Sequence, residues 1–131
     1  MQSATHLGIN ASLCGEVVSL SPGCATAELL TTPEMSADAH GLVHGGFVFG
    51  LADYAAMLSV NDPHVVLGGA SVRFVSPVRV GEVVTARASR VSEKGRKHTV
   101  EVTASVGKRE VFTGTFTTFV LDHHVLSGSV G

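Results

Sequence analysis

Apolar and polar positions change their rhythm three times along this chain, and each change marks an expected element. Gly15 to Leu20 and Cys24 to Thr31 read as two strands of a hairpin turning at Ser21-Pro22-Gly23. The stretch from Thr32 to His40 carries Pro33, Ser36 and Asp38 and reads as loop. From about Gly45 to Asn61 the residues are helix formers, apolar on almost every side, which predicts an enclosed helix ended by Asn61-Asp62-Pro63. Strand patterns follow at Val65 to Val75, Val83 to Val91, His98 to Val106 and Glu110 to Leu121. They are separated by a turn around Pro77 to Gly81, a polar tip from Ser92 to Arg96, and a tight turn at Gly107-Lys108. Val100, Val102, Ala104 and Val106 alternate with Thr99, Glu101, Thr103 and Ser105, the period of a half-buried strand. The order predicts an α+β domain: a hairpin, one long buried helix, then three or four consecutive antiparallel strands that curl around the helix.

Composition narrows the partners. The length of 131 residues suits a single domain, 1–131. A net charge of −2 and the lack of a basic stripe argue against nucleic acid. Charged residues make up 15% of the chain, against roughly 25% in soluble domains. So few charges leave too much surface for a small monomer to cover, which predicts burial against further copies. The uncharged run between Asp38 and Asp53 is 14 residues, whereas a spanning helix needs about 20, so no membrane is expected. Met1 to Leu13 has no Lys or Arg and no long apolar run, unlike a secretory signal. Cys14 and Cys24 lack ligand spacing and read as small, buried or half-buried thiols in a reducing, cytoplasmic setting. His6, His40, His64, His98, His123 and His124 show no spacing with cysteines or carboxylates that suggests a metal.

The candidate chemistry centres on Asp53, the one acid inside the most apolar segment. A carboxylate there is expensive to desolvate and responds by raising its pKa, which is how an acid is tuned for base or nucleophile work near neutral pH. On a helix, Gly46, Gly50, Asp53 and Met57 share one stripe. A mid-helix glycine costs about 1 kcal/mol relative to alanine, so Gly50 points either to close approach of a ligand or second backbone, or to packing against the sheet.

The run Gly41-Leu42-Val43-His44-Gly45-Gly46, followed by Leu51-Ala52-Asp53, resembles the hotdog-fold acyl-CoA thioesterases, in particular the PaaI-like (phenylacetate-degradation-type) branch. Phe74-Val75-Ser76-Pro77, Gly81-Glu82 and Lys94-Gly95-Arg96-Lys97 extend the resemblance, which covers roughly residues 8 to 121. It implies a sheet of about 5–6 antiparallel strands around one long central helix. The implied reaction is hydrolysis of a medium-chain or aromatic acyl-CoA by a homodimer or homotetramer, with no cofactor beyond the coenzyme A of the substrate.

In that reading the amides at the first helical turn polarise the thioester carbonyl, Gly45 foremost and Gly46 beside it. Asp53 is general base or nucleophile. The two lie roughly 12 Å apart along one helix, so the resemblance implies that Asp53 of one subunit faces Gly45 of the other. His44 has two readings: orienting the glycine loop near the thioester, or capping the helix as a structural histidine. Asp38 stands where relatives often carry Asn; it is a substrate contact, a loop cap or a water ligand. Asn61, eight residues after Asp53, is a further substrate-binding candidate, as is Ser71, placed by strand alternation on the same face as Leu67. Lys94, Arg96 and Lys97 on one hairpin, with Lys108 and Arg109 on another, are candidates for the coenzyme A phosphates, set against solvated turns.

Two other classes compete. A non-catalytic acyl-CoA binding or sensing protein would use the same groove, but would carry a DNA-binding segment for which no room is expected before residue 8. A dehydratase or hydratase would need an Asp-x4-His pair, which the sequence lacks.

Overall fold

The structure is a computed structural model that describes residues 1–127. After a short helix α1 (Ala11–Cys14), strands β1 (Glu16–Ser21) and β2 (Cys24–Leu30) form the expected hairpin, with Gly23 at a positive φ of 77° in its turn. Helix α2 (Gly45–Val60) follows, then β3 (Val65–Phe74), β4 (Val83–Lys94), β5 (Lys97–Val106) and β6 (Arg109–Val120). All strand pairs are antiparallel, in one six-stranded sheet of order β1-β2-β4-β5-β6-β3.

That order differs from a run of consecutive strands in one respect: β3 crosses to the far edge and pairs with β6, and β4 pairs with β2. Alternation reveals which face a residue occupies but not which strand lies beside it. Connection length is the remaining clue. Two-residue turns at Gly95-Arg96 and Gly107-Lys108 join β4 to β5 and β5 to β6, whereas the link between β3 and β4 is too long for a tight hairpin.

Helix α2 lies on the inner face of the sheet because the central strands present a floor of small side chains. Ala25, Ala27, Ala86, Ala88 and Ala104 are all buried, with Ala27 beside Ala86 and Ala86 beside Ala104. Leu51, Ala52, Ala55, Ala56 and Leu58 of the helix fill the space above that floor. Towards β6, Phe112 and Phe116 are wholly buried and pack against Phe49, edge-on and tilted respectively.

The helix stops at Asn61, whose left-handed backbone (φ 52°) caps it. The Asn61 amide also ties down the N-terminal segment, accepting from the Ala4 N–H at 2.7 Å and donating to the Gln2 carbonyl at 3.0 Å. Of the two free thiols, Cys14 is half-buried as expected but Cys24 is exposed, because it opens β2 on the parity opposite to buried Ala25. No described helix is long and apolar enough to cross a membrane.

Candidate functional site

Helix α2 begins at a loop held from two sides. The Val43 N–H donates to the Val78 carbonyl at 2.9 Å, the Val80 N–H to the Gly41 carbonyl at 2.8 Å, and Leu42 forms a bridge with Arg79. The His44 N–H donates to the Met35 carbonyl at 2.9 Å. These bonds fix where the first helical amides point.

His44 is the N-cap: its Nδ1 accepts from the Gly46 N–H at 2.9 Å. The capping reading of this residue therefore describes its contact in the protomer, and the Gly46 amide is already occupied. The Gly45 N–H has no acceptor among the described residues, and no acidic side chain sits in the first turn to neutralise the helix dipole. His44→Ala should cost about 1 kcal/mol of stability, measured by chemical denaturation, while His44→Asn keeps most of the cap.

A cleft of about 330 Å³ opens beside Gly45, walled by Val48, Phe74, Val75, Pro77 and Val111. A Cβ built on Gly45 would lie 3.0 Å from the Phe74 ring, so glycine lets the two surfaces meet. Phe74 packs edge-on against Phe112 yet is 55% exposed, leaving part of its ring bare to the cleft.

Two turns further on, Asp53 is half-buried, and its Oδ1 is shielded from solvent with no hydrogen-bond partner among the described residues. Burial pushes its carboxyl from 3.8 up to about 6. Gly46 and Gly50 share its side of the helix. A Cβ on Gly50 would meet nothing within 4 Å. Packing inside the protomer therefore gives no reason for glycine at Gly50, whereas a Cβ on Gly46 would fall 2.9 Å from the His44 ring.

The other sequence-derived candidates lie elsewhere. Asp38 Oδ1 accepts from the His40 and Leu42 N–H groups at 2.8 and 3.2 Å, the contacts of a loop cap. Asn61 holds the N-terminus, as described. Ser71 does not share the face of Leu67: a bulge between Leu67 and Gly69 inserts Gly68 and reverses the alternation, sending Ser71 to the outer surface beside Arg73, Thr113 and Thr115. Gly68 leaves room there for the Phe119 ring, which a Cβ would approach to 2.4 Å. Lys94, Arg96 and Lys97 flank the β4–β5 turn, and Arg96 donates to Asp122. Arg96 and Val60 line one pocket, which sets this hairpin at the C-terminal end of α2, roughly 20 Å from Gly45 within a protomer. Arg109 is engaged by both oxygens of Glu82 at 2.9 and 3.1 Å. Among the described residues no group of three His, Cys, Asp or Glu side chains could hold a metal ion.

Residues 32–119 match the acyl-CoA thioesterase N-terminal domain family. The chain belongs to that family. Its fold agrees: a mutant of the phenylacetic acid degradation protein PaaI from Thermus thermophilus superposes with a TM-score of 0.76 at 32% identity, over 83% of this chain and 95% of that one. An uncharacterised protein, PH1136 of Pyrococcus horikoshii, superposes with a TM-score of 0.95 at 47% identity, over 96% and 97% of the two chains. The six-stranded sheet around one long helix is thus the hotdog fold of this thioesterase family.

Curated relatives carry other names. A methylthioribose-1-phosphate isomerase of Aquifex aeolicus is 48% identical over 123 residues, and the transcription factor FapR of Caldanaerobacter subterraneus is 27% identical over 119. The matches cover 93% and 90% of this chain, but only 27% and 60% of those longer proteins.

Proposed function

We propose that this thioesterase-family chain hydrolyses the thioester of an acyl-CoA, with a medium-chain or aromatic acyl group, to the free acid and coenzyme A. The observation that carries this reading is Asp53: a half-buried carboxylate on the helix face of Gly50, with one oxygen shielded from water and unpaired among the described residues. A protein that only bound its ligand would gain nothing from maintaining so costly a group.

Within one helix the free Gly45 amide and Asp53 are too far apart to act on one carbonyl. The reading therefore pairs Asp53 of one subunit with Gly45 of the partner subunit across a homodimer. Such dimers can assemble further into a homotetramer. The open edge of β3 and the open side of α2 at Gly50 supply surfaces for that contact. The Gly45 N–H holds the carbonyl oxygen as it gains negative charge. Asp53 takes a proton from an attacking water, or attacks the carbonyl carbon itself to form a mixed anhydride that water then opens. In both routes the C–S bond breaks and the sulfur leaves as the coenzyme A thiolate, which a proton then neutralises. The substrate supplies the coenzyme; no metal or further cofactor takes part in this scheme.

Either route needs Asp53 ionised. With its carboxyl at about 6, kcat/KM for thiol release should rise with pH through that value and level off above about pH 7. A flat profile between about pH 5 and 8 would remove Asp53 from the rate equation.

The second reading, a non-catalytic acyl-CoA sensor, is favoured by the FapR relatives, which are transcription factors. Tight acyl-CoA binding by the wild type with no thiol release would establish it.

A further inference from the structure

The cleft beside Gly45 does not end there. Leu42, Ser76, Pro77 and Val78 also wall a second pocket, of about 420 Å³, whose remaining lining is His40, Arg79 and Arg109. The two pockets form one groove with a gradient along it. Its inner part, at Gly45, Val48 and Phe74, carries no charge, and its outer part carries two guanidinium groups and an imidazole.

The two arginines are not equivalent. Arg109 is fixed as wall: Nη2 donates to both Glu82 oxygens and, at 3.2 Å, to the Pro77 carbonyl. Glu82 also receives the backbone N–H of Arg79 at 2.7 Å, and these bonds hold its carboxyl below the usual range. Glu82 is thereby committed to Arg109 and to the Arg79 backbone. The Arg79 guanidinium forms no ion pair among the described residues. Through its bridge to Leu42, Arg79 on the β3–β4 link is tied to the loop that aims the Gly45 N–H.

We infer that Arg79, with His40 beside it, receives the phosphate groups of coenzyme A while the thioester end of the substrate lies along the apolar groove to Gly45. The Arg79 guanidinium feels the Glu82 charge only at a distance, and its unengaged planar donors match phosphate oxygens. The apolar stretch between it and Gly45 suits the uncharged pantetheine arm. The Lys94–Lys97 hairpin lies at the other end of α2 from this groove in the same protomer. The inference rests on the thioesterase reading for its substrate but not for its test.

The test is calorimetric binding of free coenzyme A and of pantetheine, which lacks the phosphates, to the wild type, Arg79→Ala and a Lys94→Ala/Lys97→Ala double variant. Arg79→Ala should weaken coenzyme A by about 10-fold or more, the effect of one charge-assisted contact, and leave pantetheine unchanged. The double variant should bind both as the wild type does. Equal coenzyme A affinity in wild type and Arg79→Ala would overturn the assignment. So would a parallel loss of both ligands, or a wild type that does not prefer coenzyme A to pantetheine. If the expected pattern appears but no acyl-CoA is cleaved, the phosphate site stands and the hydrolytic reading falls.

Discussion

Asp53→Asn is expected to lose about 10²–10⁴-fold in kcat, the usual share of a positioned base, and to be more stable than the wild type at neutral pH. Both effects come from one cause. Burial raises the Asp53 carboxyl from 3.8 to about 6, so the folded chain keeps a proton that the unfolded chain has already released. Stability therefore falls as pH rises from about 4 to about 6, and by pH 7 the whole penalty is present. Taken at face value the shift is worth roughly 3 kcal/mol; the side chain is only half-buried, and screening by water brings this to about 1–2 kcal/mol. The neutral amide never bears it. Denaturation at about pH 7.5 should show the variant ahead, and at about pH 4 the gap should close. A variant less stable at both values would mean that Asp53 is satisfied in the folded protein by a partner.

Gly45→Pro should be inactive yet folded, with kcat reduced about 10²–10³-fold, as on losing one oxyanion donor. Proline deletes the N–H with only a small adjustment of its surroundings for three reasons. Gly45 is the first helical residue, where the N–H has no intrahelical acceptor and proline is welcome. His44, at φ −61° and ψ 131°, already has the extended backbone that a following proline demands. The added ring carbons meet Phe74, whose exposed ring has room to shift. Helical circular dichroism and subunit assembly should match the wild type. Unchanged turnover in this variant would exclude the Gly45 amide as the donor.

Much of this was legible in the sequence because it depends on local pattern. An uncharged segment interrupted by one acid gave both the enclosed helix and the strained carboxylate, and the structure adds that the acid has an oxygen with no partner. What escaped depends on long-range geometry. The crossover of β3 to β6 leaves no trace in alternation. The bulge at Gly68 inverts the face of everything after it, so counting from Leu67 misplaces Ser71. Asn61 bonds to residues 57 and 59 positions away, a contact no spacing rule anticipates. Clustered lysines drew attention to the Lys94–Lys97 hairpin, whereas Arg79, a single cation after Pro77, is distinguished only by the groove it borders. For His44 the pattern left two roles open, and the structure shows an Nδ1 contact with Gly46 that caps the helix and also holds the glycine turn.

The central claim, that each site draws Asp53 from one subunit and Gly45 from the other, has a direct test. Asp53→Asn and Gly45→Pro proteins, each inactive alone, are mixed, dissociated and reassembled, and thiol release from an acyl-CoA is measured. In a mixed dimer one site receives both substitutions and the other neither, because the two-fold axis exchanges the contributions. The account predicts that activity returns, to one working site per mixed dimer. Mixed dimers that form and stay inactive would contradict it.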